Sequence, residues 1–159
     1  MVLRFVNLHI TGREGGGTEG KEHERLIIKE NNNVPHHISI IHIDDFLKLS
    51  PDGTLDFKEA VRLLDEASSV MNSQDYYSII VDTRNSKSTM SFGDLFYLSI
   101  ELFKHGMTFR RRTAILCPSE RLSDGQFFAT VCGNRGFDVR AFLSYEEAMD
   151  WLSSKTIIY

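Results

Sequence analysis

Tyr77-Ser78-Ile79-Ile80-Val81 is the stretch on which the reading of this chain turns. It is short, almost continuously apolar and rich in β-branched residues, the pattern of a strand buried on both faces. A half-solvated strand would alternate instead. Beyond it, Ser91 and Asp94 stand in capping-box spacing before Phe92, Leu95, Phe96, Leu102 and Phe103, an apolar rhythm that predicts a helix. His105-Gly106 supplies a glycine stop. The same sequence of events then repeats. Residues 113–117 predict a second buried strand, and Ser123 with Gln126 predicts a cap for a helix through Phe127, Phe128 and Val131, stopped at Gly136. Residues 137–143 predict another strand, followed by Ser144 and Glu147 at the start of a helix that buries Ala148, Trp151 and Leu152. Upstream, a strand at 38–43 leads through the break Ser50-Pro51-Asp52-Gly53 to Thr54, which is read as the cap of a helix. That helix carries Phe57, Ala60, Val61, Leu64, Ala67 and Met71 on one face.

Four strand-then-helix units in a row specify the α/β class, with a mainly parallel sheet and the units wound as a βα superhelix. Residues 25–29 and 37–43 flank Asn31-Asn32-Asn33, a hairpin pattern that adds an antiparallel N-terminal edge strand. The organisation expected is therefore an α/β domain over 25–159. It is preceded by a segment, 1–24, made of a strand at 3–10 and a flexible Gly-rich stretch.

The bulk composition bounds the function. The chain has 159 residues, 42% of them hydrophobic, with a net charge of −4. An acidic balance without a basic stripe argues against a nucleic-acid binder. The one basic run, Arg110-Arg111-Arg112, reads as a solvated approach to a strand. No apolar run reaches the ~20 residues of a membrane span, and residues 1–11 lack a cleavage-like site, so a cytoplasmic protein is expected. Cys117 and Cys132 have neither metal-ligand nor disulfide-framework spacing and read as buried thiols.

Three constellations invite chemistry. Gly15, Gly20 and Lys21 echo a phosphate loop, but Glu22 replaces the hydroxyl residue that would hold magnesium. His36, His37 and His42 with Asp44 and Asp45 suggest a metal, but His36 and His42 on one strand face lie six residues apart, about 20 Å along an extended chain, too far to share one ion. Asp44, Asp45 and Asp82 fall at predicted strand ends, where a magnesium-dependent phosphorylated aspartate would sit. Strand-end aspartates are more often turn residues. No nucleophile–base pair accompanies any of these, so no catalytic residue, metal or cofactor is expected.

The segment 77–154 resembles the STAS domain, the sulfate transporter and anti-sigma factor antagonist group. The resemblance is carried by Ile79-Ile80-Val81-Asp82-Thr83-Arg84, by Arg112-Thr113-Ala114-Ile115-Leu116, and by Asn134-Arg135-Gly136-Phe137-Asp138-Val139-Arg140-Ala141-Phe142. It closes on Glu146-Glu147-Ala148-Met149-Asp150-Trp151-Leu152 and resembles the stand-alone bacterial subgroup with ties to lipid-binding CRAL-TRIO domains. The resemblance implies a non-catalytic regulatory module that binds another protein. Switching antagonists carry Asp-Ser-Ser-Gly at the second strand–helix turn; here Met90-Ser91-Phe92-Gly93 stands there, without the acceptor serine.

The partner surface is therefore expected over Thr83, Arg84, Asn85, Ser88, Thr89, Ser91 and Gly93, a loop above a helix N-terminus suited to an anion or a carboxylate. The rival expectation is a small apolar or lipid-like ligand held among Phe92, Phe96 and Phe128, because the chain has more Phe than a minimal core needs. Two β-prone segments, 3–10 and 156–159, are expected to pair with a sheet edge, either within one molecule or across a homodimer.

Overall fold

The computed structural model describes residues 25–28, 39–43, 46–71, 78–109 and 111–154. Arg25–Ile28 (β1) and Ser39–Ile43 (β2) pair antiparallel, and β2 pairs antiparallel with Phe46–Ser50 (β3), Ile43 facing Phe46. After Gly53–Leu55 (β4) comes the helix Phe57–Met71 (α1). Ser78–Asp82 (β5), Ser86–Ser88 (β6) and Phe92–Lys104 (α2) follow. Thr113–Leu116 (β7), Leu122–Gly133 (α3), Val139–Phe142 (β8) and Tyr145–Ser153 (α4) complete the domain.

The main sheet runs β1-β2-β3-β5-β7-β8, its last four strands parallel. Four βα units laid down in sequence order are the superhelix that the strand–helix rhythm predicts, and the β1–β2 hairpin is the antiparallel edge. The first unit differs in one respect. Its parallel strand is β3, and residues 39–43 belong to the antiparallel hairpin instead. Lys48 hides β3 in the sequence by interrupting the apolar run Phe46-Leu47-Lys48-Leu49. Its side chain is tolerated because Nζ lies 3.6 Å from the Asp82 carboxylate and 5.5 Å from the centre of the Tyr145 ring.

Strand parity divides the core. Leu47, Leu49, Ile79 and Ile115 face the side covered by α1, α2 and α3, while Ile80, Ala114 and Leu116 face α4 through Ala148 and Leu152. All four residues of β7 are buried, as a central parallel strand requires. α1 buries Ala60, Leu63, Ala67 and Met71, and α3 lies along β8. α2 is placed differently: it packs chiefly on α1 and α3, burying Leu95, Leu98 and Leu102 between them.

The caps show which local signals hold. Ser91 forms the complete capping box with Asp94, and Ser144 accepts from the Glu147 backbone. α1 is capped by Asp56, whose Oδ1 accepts from Glu59 N at 2.8 Å, and not by Thr54. Thr54 lies in β4, opposite Lys87 of β6, in a two-stranded parallel ladder. Ser123 lies inside α3, whose N-cap is Arg121 and makes no side-chain cap bond. α3 ends at Gly133, three residues before the expected stop, and Gly136 takes the left-handed turn at φ 84°.

Arg112 is no solvated approach to a strand. Its Nη1 donates to the carbonyl oxygens of Trp151 and Ser154 at 2.6 and 2.7 Å, and its guanidinium lies 5.3 Å from the centre of the Trp151 ring. The last carbonyls of α4 thus receive a cationic donor, where the helix dipole favours one.

Candidate functional site

The chain leaves β5 at Asp82, at the carboxyl ends of the parallel strands. The Arg84 side chain grips that carboxylate in bidentate fashion, with Nε and Nη2 each donating at 2.8 Å. The Arg84 hydrogen bond holds the Asp82 carboxyl below its ordinary range, against the opposing effect of burial, and Lys48 adds to the lowering. Asp82 is thus a satisfied carboxylate between two cations, and its geometry is that of a structural tie. Asp44 and Asp45 lie outside the described residues, as do His36, His37 and the Gly15–Lys21 pattern. Among the described residues no group of three His, Cys, Asp or Glu side chains could hold a metal ion.

Most hydroxyls of the 83–91 loop are committed to its own shape. Thr83 Oγ1 donates to Leu116 O at 2.8 Å, and Ser86 Oγ donates to Thr83 O at 2.9 Å. The loop then enters the β4–β6 ladder, and Thr89 N donates to Leu55 O at 3.1 Å. Ser88 Oγ accepts from Arg121 Nη2 at 3.2 Å, and the same nitrogen donates to Met90 O at 3.1 Å. Arg121 therefore ties the loop to the start of α3 from more than thirty residues away, a link with no local sequence signal. Asn85, Lys87 and Thr89 point to solvent.

The N-terminus of α2 is already supplied with an anion. Asp94 Oδ2 accepts from Ser91 N at 2.9 Å and from Ser91 Oγ at 2.7 Å, and Asp94 N donates back to Ser91 Oγ at 3.2 Å. These bonds hold the Asp94 carboxyl below its ordinary range. The protein thus provides a carboxylate of its own at the terminus where the sequence predicts an anion or a partner carboxylate. At the turn into α2, Met90 is buried, and Phe92, 54% exposed, meets Phe127 edge-on with 4.8 Å between centroids.

The outward face of α2 is aromatic. Phe92, Phe96, Tyr97 and Phe103 are 54%, 42%, 61% and 58% exposed. Phe96 lies under the Arg135 guanidinium at 4.8 Å, and Phe103 meets Phe137 edge-on at 6.4 Å. Phe92, Phe96 and Phe103 thus meet α3 and the segment that follows it, while Tyr97 stacks edge-on against Phe96. Of the residues expected to form an apolar pocket, the structure turns Phe92 and Phe96 outward and Phe128 inward.

Behind this face lies an apolar cavity of about 120 Å³, bounded by the sheet, α1, α2 and α3. Leu49, Ile79 and Ile115 form its floor and Leu95, Leu98 and Leu102 its roof, with Phe128 at one side. Thr83, Ser88, Arg121 and Asp124 mark the polar end, under the 83–91 loop. Cys117 also lines it, and burial pushes its thiol up to about 11; the Cys132 thiol is pushed up to about 12 for the same reason. Sequence reading missed the cavity because it depends on where α2 rests, a matter of helix-to-helix packing.

No family model and no curated protein matches this chain. Among the described residues, no helix is long and apolar enough to cross a membrane. Among solved structures, the chain is similar to an uncharacterized protein from the DUF3478 family with a SpoIIAA-like fold, from Shewanella loihica PV-4. The two are 15% identical; the match covers 86% of this chain and 99% of the other, with a TM-score of 0.48.

Proposed function

We propose that this protein is a non-catalytic regulatory module that binds another protein through the outward face of α2 and the adjoining 83–91 loop. One observation carries the reading: α2 buries one face on α1 and α3 yet leaves four aromatic rings in solvent on the other. Contiguous exposed apolar surface marks interaction sites on soluble proteins, and aromatic residues are enriched in the cores of such interfaces. Asn85, Thr89 and Gly93 provide the accessible rim, whereas Thr83, Arg84, Ser88 and Ser91 hold the loop in the shape it presents. The committed Asp82 and the buried thiols support the non-catalytic part of the reading.

The test is affinity capture with the full chain, comparing wild type with Phe96→Ser and Tyr97→Ser. The expected result is a specific partner lost in both variants while their unfolding midpoints stay close to wild type. Capture that is unchanged in folded variants overturns the assignment of the surface. A wild-type protein that sediments as a dimer, with both variants monomeric, identifies the partner as a second copy.

A further inference from the structure

We propose that the cavity beneath α2 is a binding site for a compact, uncharged, apolar molecule of about single-ring size that carries at most one polar group. The inference concerns the interior and is independent of the surface assigned above. Protein interiors hold few voids larger than a water molecule. This one, at about 120 Å³, has room for about four waters at ~30 Å³ each, yet its lining is almost wholly apolar and gives water few partners. An apolar cavity of about 150 Å³ is known to stay dry and take benzene, so the volume here suits a guest of that size or slightly smaller.

Two features distinguish the cavity from a packing defect. The first is architectural: α2 is carried by α1 and α3, which hold Leu95, Leu98 and Leu102 above the floor residues. The gap is thus built between layers. The second is chemical: apart from Thr113 at the start of β7, whose Oγ1 lies 3.5 Å from Arg111 O, the polar lining gathers at one end. There, Arg121 pairs with Asp124, so the pair adds no net charge. At the same end Thr83 Oγ1, its hydrogen given to Leu116 O, can still accept, and Ser88 Oγ, which accepts from Arg121, still has a hydrogen to donate. A neutral mouth with hydroxyls over an apolar body selects an uncharged guest with a single polar group. The volume excludes a long acyl chain unless α2 lifts away.

The experiment uses the full-length protein with benzene, phenol, hexanoate and palmitate as probes, read by thermal shift and by native mass spectrometry. Benzene or phenol is expected to raise the unfolding midpoint saturably, while hexanoate does not. Ala60→Leu, which extends a side chain from the cavity wall on α1, is expected to remove the shift. Leu98→Val, a milder change that enlarges the roof, serves if Ala60→Leu fails to fold, and is expected to retain the shift. No saturable effect of benzene or phenol on wild type overturns the proposal and leaves a dry packing void. A retained shift in folded Ala60→Leu places the probe elsewhere and also overturns it. Tighter binding of hexanoate or palmitate than of phenol refutes the assigned ligand class.

Discussion

At Gly125, α3 approaches the sheet too closely for a side chain, and this supports a prediction whose sign can be worked out. A Cβ there would stand 2.5 Å from Cys117 Sγ and 3.0 Å from Ala141 Cβ. Gly→Ala in a helix ordinarily gains up to about 1 kcal/mol from propensity. Forcing an extra methyl into a packed core costs about 1–3 kcal/mol. The 2.5 Å approach is well inside any real contact, so the packing cost prevails, and Gly125→Ala is expected to be net destabilising by about 0–2 kcal/mol. Cys117→Ala removes the Sγ atom and leaves only the 3.0 Å contact, which needs a shift of a few tenths of an ångström. The double mutant should therefore be more stable than the sum of the single effects by about 1 kcal/mol or more, within the usual range for touching residues. Denaturant unfolding of the wild type, both single mutants and the double mutant under reducing conditions measures this coupling. Gly125→Ala stabilised by the full propensity gain, with coupling indistinguishable from zero, would refute the close approach of α3 to β7.

Ser91→Ala should cost about 1 kcal/mol through loss of the α2 cap, which equilibrium unfolding reads directly. Leu98→Ala, which enlarges the cavity roof, should cost about 2–5 kcal/mol by denaturant unfolding. Asp82 has a lowered folded pKa, so its stabilising contribution is complete above its unfolded value of ~3.9 and is lost as pH falls through the folded value. The stability gap between wild type and Asp82→Asn should accordingly be largest near neutrality and shrink in acid, which a pH series of unfolding midpoints can check. With thiols pushed up to about 11 and 12 and both side chains buried, Cys117 and Cys132 should resist a thiol reagent at pH 8 in the folded protein and react on denaturation.

The strands at the centre of the sheet were legible in the sequence because double burial writes a continuous apolar run, as in Ile79-Ile80-Val81 and Ala114-Ile115-Leu116. Ser91 and Ser144 were legible because their capping partners lie three residues away. Whatever depended on distant residues was not. β3 carries Lys48, which is accommodated only because Asp82 and Tyr145 come from other units. Thr54 looks like a cap until Lys87 pairs beside it, and Asp56 then takes that role. Within the candidate site, the sequence shows that a loop follows the strand ending at Asp82, but the occupation of its groups by Asp94, Asp82 and Arg121 follows from folded geometry. The Phe residues on α2 and α3 were visible as an excess, while their division between outward rings and the inward Phe128 was not.

The order β3-β5-β7-β8 has a consequence for how the chain comes to be folded. Each new parallel strand docks beside the one completed just before it, so no unit must wait for a distant partner to be synthesised. Pairing each strand with its predecessor keeps the loop closed at each step to one crossover, so loop-closure entropy grows no further than this architecture requires. On a ribosome adding roughly 5–20 residues per second, the units can join the growing edge in the order of their emergence. Closure of the far face comes last: Arg112 waits beside β7 until the carbonyls of Trp151 and Ser154 arrive. A nascent chain halted before α4 would hold Ile80, Ala114 and Leu116 uncovered, and that apolar strip is the surface a chaperone would meet.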